Sequence, residues 1–212
     1  CLAALREQLD GEMTVAGFGA SLVQTLGARI PGLKPFPTIT APGLTIENAP
    51  DAVWLWLRGD DRGELLHRSR RLTQLLSPAF LLKETWDAFK YREGRDLSGY
   101  EDGTENPTDD DAIAAAIASA ENPVLAGSSF VATQRWIHDF RRFEAMPSET
   151  QDHAIGRRQS DNEELDDAPP SAHVKRTAQE SFAPEAFVLR RSMPWSDGTQ
   201  AGLLFLAFGR SL

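Results

Sequence analysis

The segment AVWLWL at positions 52–57 constrains the fold more than any other. Six consecutive apolar residues, aromatic and β-branched types among them, run up to Gly59 and the Asp60-Asp61 pair, which predicts a strand. Positions 61–76 then carry apolar residues at 65, 66, 72, 75 and 76, one face of a helix. Residues 80–91 are expected to hold a second strand, with Leu82, Trp86 and Phe89 in the core. Before these, 2–9 reads as a short amphipathic helix and 13–18 as a strand with Met13, Val15 and Gly17 on one face. Pro31, Pro35, Pro37 and Pro42 predict an irregular stretch up to position 48. Further on, 112–120 and most of 140–155 read as helix, and 128–138, 186–191 and 203–208 as strands.

The order strand, helix, strand repeats in each half, with the strands not adjacent in sequence. That order fits an antiparallel α+β fold of two ferredoxin-like halves, with helices packed on the sheets, better than a parallel βαβ array. The Gly- and acid-rich loop at 93–111 separates the halves, which gives domains 1–108 and 109–212. A length of 212 residues supplies enough chain for a sizeable core.

The net charge is −9, so the chain has no global attraction for nucleic acid or anionic membrane. Its one cysteine, Cys1, excludes an intrachain disulfide and any Cys-based zinc or iron–sulfur site. The chain opens on Cys1 inside a helical pattern and closes on a strand at 202–208, which reads as a fragment of a longer protein. No HExxH, Walker A or GxSxG pattern occurs, and Gly17-Phe18-Gly19 lacks the third glycine of a dinucleotide fingerprint.

Chemistry is sought in three other places. In Gly99-Tyr100-Glu101-Asp102-Gly103-Thr104-Glu105-Asn106-Pro107, two glycines bracket an aspartate on a loop. A carboxylate held so is suited to acid–base work, although an acidic turn closed by Asn-Pro has the same composition. His67 and His153 fall on polar helix faces and His138 ends a strand beside Asp139. His173 follows the stiffened Pro169-Pro170-Ser171-Ala172 and is either a ligand or a structural histidine. Arg190 and Ser192 share a strand face, with Arg191 on the other, which also describes an ordinary basic strand end.

Taken together, these segments resemble dye-decolourising peroxidases, a haem family. GYEDGTENP is similar to the family's GxxDGTENP motif. In the same order, GSSFVATQRWIHDF (127–140), Ala154-Ile155-Gly156-Arg157, Ser171-Ala172-His173-Val174 and LRRSMPW (189–195) resemble its later segments. The match runs from about position 97 to 208 and is looser before 90. The resemblance implies haem b with His173 as the iron ligand, Asp102 as the distal catalytic aspartate and Arg190 as the distal arginine. It places Ser192 where many relatives carry Asn, and Arg157 where an arginine contacts a haem propionate. Gly103, Thr104 and Glu105 of the motif fall among the cofactor-binding residues. The implied reaction is H2O2-dependent one-electron oxidation of phenolic or dye-like donors, in a cytoplasmic homo-oligomer of the bacterial branch that is also a candidate for encapsulation as cargo. A haem carrier or haem-iron-releasing protein with incidental peroxidase activity is the alternative, and a non-enzymatic α+β module a third.

Two further features are open to more than one reading. Tyr100, beside Asp102, is a candidate for relaying electrons from bulky donors at the surface, while Trp54, Trp56 and Trp86 read as core. The acidic run at 161–167 reads as a solvated loop, with a Mn²⁺ site as the minor alternative.

Overall fold

The computed structural model describes residues 1–118 and 123–211. They form two compact units, Cys1–Thr85 and Trp86–Leu212. Both are antiparallel α+β structures, the class read from the sequence.

In the first unit, β1 (Thr14–Phe18) pairs antiparallel with β4 (Val53–Leu57), with Thr14 opposite Leu57 and Phe18 opposite Val53. Side chains alternate along β4. Val53, Leu55 and Leu57 pack with helices α1 (Leu2–Arg6) and α3 (Arg62–Leu76) around buried Leu5, Leu72 and Leu76. Trp54 and Trp56 point to the opposite face and stack 6.3 Å apart, half-buried, so they are not part of this core. Asp61 caps α3 by accepting the Glu64 N–H at 2.9 Å. Leu66, expected on the apolar face, is exposed. A short helix α2 (Ala20–Thr25) forms where the sequence predicts no element.

The proline-rich stretch is not wholly irregular. Strands β2 (Ile39–Ala41) and β3 (Leu44–Ile46) form a hairpin. Its prolines fall outside both strands, and Pro42-Gly43 makes the turn, a favoured pair for that position.

In the second unit, the nine-residue β8 (Ala201–Gly209) is the central strand. One edge pairs with β5 (Phe130–Arg135), and the other with β6 (Leu189–Arg190) and β7 (Met193–Ser196) in succession. The register is the same through β6 and β7: Arg190 faces Ala207 and Met193 faces Leu204. Between them the Leu206 N–H goes to Ser192 Oγ at 3.3 Å, which interrupts the main-chain ladder. Helices α4 (Asp109–Ala116), α5 (Phe140–Glu144), α6 (Ser148–Ile155) and α7 (His173–Thr177) complete the unit. The helix expected over 112–120 thus starts earlier and leaves the helical conformation at Ile117, and its last two positions lie outside the described residues.

No strand forms over residues 80–91. Pairing there is a single bridge, Ala88 with Trp195, supported by Phe89 N–H donating to Pro194 O at 2.9 Å. Pro194 has no N–H to return, so the ladder cannot extend. Trp86 does pack, edge-on to the fully buried Trp195 at 5.3 Å, with the Arg135 guanidinium 4.0 Å above its ring. Among the described residues no helix is long and apolar enough to cross a membrane.

Candidate active site

The loop 93–107 folds back on itself. Asp96 N–H donates to Tyr100 O, Gly99 N–H to Asp96 O, and Asp102 N–H to Gly94 O. Arg95 and Glu101 form an isolated bridge and an ion pair at 3.0 Å. Asp102 sits at the tip, followed by a turn in which Asn106 N–H donates to Gly103 O at 2.9 Å. Gly103 has φ +79°, where a side chain would be strained.

A second segment grips this loop from outside. It begins where α6 ends at Gly156 and runs back on itself through a bridge between Arg157 and Glu164. Gln159 donates to Ser98 O, and Asn162 Nδ2 donates to both Glu101 and Thr104 Oγ1, each at 2.9 Å. Arg157 pairs with Glu105 and, at 3.4 Å, with Glu164. Thr104, Glu105 and Arg157, all expected among the cofactor residues, therefore have protein partners on this side. The acidic run is itself paired: Asp161 and Glu163 with Arg158, Glu164 with Lys175, and Asp167 with His153. Among the described residues no group of three acidic, His or Cys side chains is placed to hold a metal ion.

His173 opens α7 directly after Ala172, which is fully buried. Its position depends on Gly156, which ends α6 at φ +95°. A Cβ there would stand 2.4 Å from Val174 Cγ2 and 3.2 Å from Ala172 Cβ, so only glycine lets the two segments approach this closely.

The fold brings Asp102, Arg190 and His173 within electrostatic reach of one another. Burial is the largest influence on Asp102 and raises its pKa above 3.8; Arg190 opposes this and Asp96 adds to it. Burial, with the charge of Arg190, lowers the pKa of His173 below 6.5 against the pull of Asp102 and Asp96. Asp102 and His173 are nevertheless open to solvent. Into the same region comes Arg190, whose buried Nε has no hydrogen-bond partner. Ser192 spends its hydroxyl on β8, as described.

Three features of the site go beyond what the sequence predicts. Asp96 meets His138 Nε2 at 2.8 Å; burial pulls the Asp96 pKa up, but hydrogen bonds from His138 and Ser98 outweigh this and leave it lowered. Asn106 bonds the backbone of Arg190, accepting its N–H at 2.8 Å and donating to its carbonyl at 3.0 Å. Tyr100 is buried and donates to Asp152 at 2.5 Å, with its ring edge-on to Phe143, so it is not a surface aromatic. His138 ended a predicted strand beside an acid and Asn106 lay inside the quoted motif, but neither carries a signal of its partner.

Comparison with known proteins gives one consistent result. The family model described as "Dyp-type peroxidase, C-terminal" matches residues 93–212, more than half of the chain. A dye-decolorizing peroxidase of Rhodococcus erythropolis is 30% identical over 97% of this chain and 62% of its own length. A putative dyp-type peroxidase of Shewanella oneidensis superposes with a TM-score of 0.87 at 27% identity, covering 98% of this chain and 70% of that one. A variant of DypB from Rhodococcus jostii, solved in complex with heme, superposes at 0.85 with 26% identity, covering 99% and 71%. The chain spans 57–62% of the length of the curated relatives it matches.

Proposed function

Since the chain belongs to the Dyp-type peroxidase family, we propose that it is a haem peroxidase that uses H2O2 to oxidise phenolic or dye-like donors by one-electron steps, with Asp102 and Arg190 as the distal pair and His173 as the iron ligand. The observation that carries this reading is that those three side chains, from a loop, a strand and a helix start, lie within electrostatic reach of one another.

The residues present fit a haem. A lowered pKa keeps His173 neutral at physiological pH, and neutral imidazole is the form that binds iron. The buried, unpartnered Nε of Arg190 is a donor suited to an anionic or strongly polar ligand. The proposed cofactor is haem b, as the family resemblance implies. A propionate contact by Arg157 belongs to the same proposal, as do contacts by Gly103, Thr104, Glu105 and Ser192. Haem would supply a redox-active iron able to accept oxidising equivalents from peroxide.

The protein's own groups handle protons and charge. Asp102, ionised, takes the proton from one peroxide oxygen and returns it to the other as the O–O bond breaks. Its raised pKa makes it a stronger base than a free aspartate and a competent acid once protonated. Arg190 stays charged throughout and stabilises the negative charge that develops on the departing oxygen. The same reading carries the expectations of a cytoplasmic setting, self-association and a place as encapsulated cargo.

The test is reconstitution with haem. A Soret band in the wild type that His173→Ala loses, with H2O2-dependent oxidation of a phenolic dye, is the expected result. Haem uptake without turnover, accompanied by porphyrin release under reducing conditions, would replace the peroxidase reading with haem handling. No Soret band would remove both.

A further inference from the structure

We propose that Asn106 is the positioning residue that fixes Arg190 relative to Asp102, acting as a one-residue strand on the open edge of the sheet. The inference rests on the distal roles proposed above for those two residues.

Arg190 ends β6, whose partner on one side is β8. The next residue, Arg191, sends its N–H to Leu206 of β8. In an antiparallel ladder successive residues direct their N–H and C=O to opposite sides. The N–H and C=O of Arg190 therefore face away from β8, toward an edge on which, among the described residues, β6 has no neighbouring strand. The amide of Asn106 satisfies both groups, accepting at 2.8 Å and donating at 3.0 Å. A carboxamide is the side chain that reproduces the donor–acceptor pair of a peptide unit.

The other end of Asn106 is tied to Asp102. Its N–H closes the turn onto Gly103 O, and a Cβ on Gly103 would lie 3.0 Å from Asn106 Nδ2. Pro107 follows and disfavours a helical backbone at Asn106. Arg157 and Asn162 brace the turn at Glu105 and Thr104. Asn106 and Arg190 are 84 positions apart in sequence, yet one amide joins their backbones across a single turn from Asp102. A loop that carries its own latch to the opposite catalytic strand sets the gap between base and cation without using either functional side chain.

Asn106→Ala and Asn106→Asp test this in the haem-loaded chain, with Arg190→Ala as reference. Asp keeps the size and the contact to Arg190 N–H but turns an acceptor toward Arg190 O. A misplacement of about 1 Å between reacting groups slows a reaction roughly 100-fold. Both Asn106 variants should therefore slow the second-order reaction with H2O2 by roughly 10–100-fold and weaken cyanide binding, read as the Soret shift, in the same direction as Arg190→Ala. Saturation by the reducing donor should stay unchanged, because it follows the peroxide step. If Arg190→Ala slows the peroxide reaction while both Asn106 variants keep wild-type peroxide and cyanide constants, the inference is overturned, even if their melting temperatures fall. If Arg190→Ala itself has no effect, the distal role of Arg190 fails instead. Should Asn106→Ala not fold, Asn106→Asp alone decides, on the same criteria.

Discussion

The approach of α6 to the start of α7 is the most demanding piece of packing at the site, and Gly156→Ala probes it. Two penalties apply. At φ +95° and ψ 11° an L-residue is strained, which costs about 1–2 kcal/mol. The new methyl would also stand 2.4 Å from Val174 Cγ2 and 3.2 Å from Ala172 Cβ. Ala172 is fully buried and Val174 is stiff at its branch point, so relief requires a shift of the segment that carries His173. Overpacking of this kind costs about 1–3 kcal/mol more. Gly198 supplies an internal control in the same unit: its φ is +90° and nothing lies within 4 Å of its Cβ position. Urea unfolding should then give a loss of roughly 2–5 kcal/mol for Gly156→Ala against about 1–2 for Gly198→Ala. Haem titration should show weakened loading for the first variant only. Equal losses for the two, with equal haem affinity, would refute the view that close approach at Gly156 places His173.

Proton linkage gives two more expectations. With Asp102 as the proposed base, the rate of reaction with peroxide should fall as pH drops through a pKa above the ordinary ~3.9 of an aspartate. Asp96→Asn, which removes a nearby negative charge, should move that limb to lower pH; an unmoved limb in stopped-flow measurements would dismiss the coupling. Asp197, in the turn between β7 and β8, is held at a pKa of about 2 by N–H groups of Gln200 and Thr199 and by the Thr199 hydroxyl. A depressed carboxylate pKa stabilises the fold above the unfolded value and loses that contribution as pH falls through the folded one. The melting-temperature deficit of Asp197→Ala should thus be full at neutral pH and narrow between about pH 4 and 2; a constant deficit would rule the linkage out.

The parts of the fold legible in the sequence were those whose signal is local. The strand at 53–57 and the helix at 62–76 announce themselves by composition and period. Asp102, His173 and Arg190 stood out as a carboxylate between glycines, a histidine after a rigid segment and a strand-end arginine. What the sequence concealed was pairing. The apolar spacing of Leu82, Trp86 and Phe89 suits a strand, but strand formation depends on a partner edge, and the available edge contains Pro194. Asn106 reads as a turn residue because its second role is contacted 84 positions away. Asp96 and His138 are 42 positions apart and share no pattern. Tyr100 reads as a surface aromatic because its acceptor, Asp152, lies on a helix formed much later in the chain.

The central position of β8 has a consequence for how this unit is made. Every strand that pairs with it, from β5 to β7, precedes it in the chain. During synthesis none of them can enter the sheet until residues 201–209 have left the ribosome. Phe130 waits for Gly209, the most distant partner in the register. Such non-local pairing slows folding, because loop closure must come before the contacts that reward it. Arg190 therefore reaches its place only after the chain beyond it has been made, and any charging of the site with cofactor follows translation of this unit.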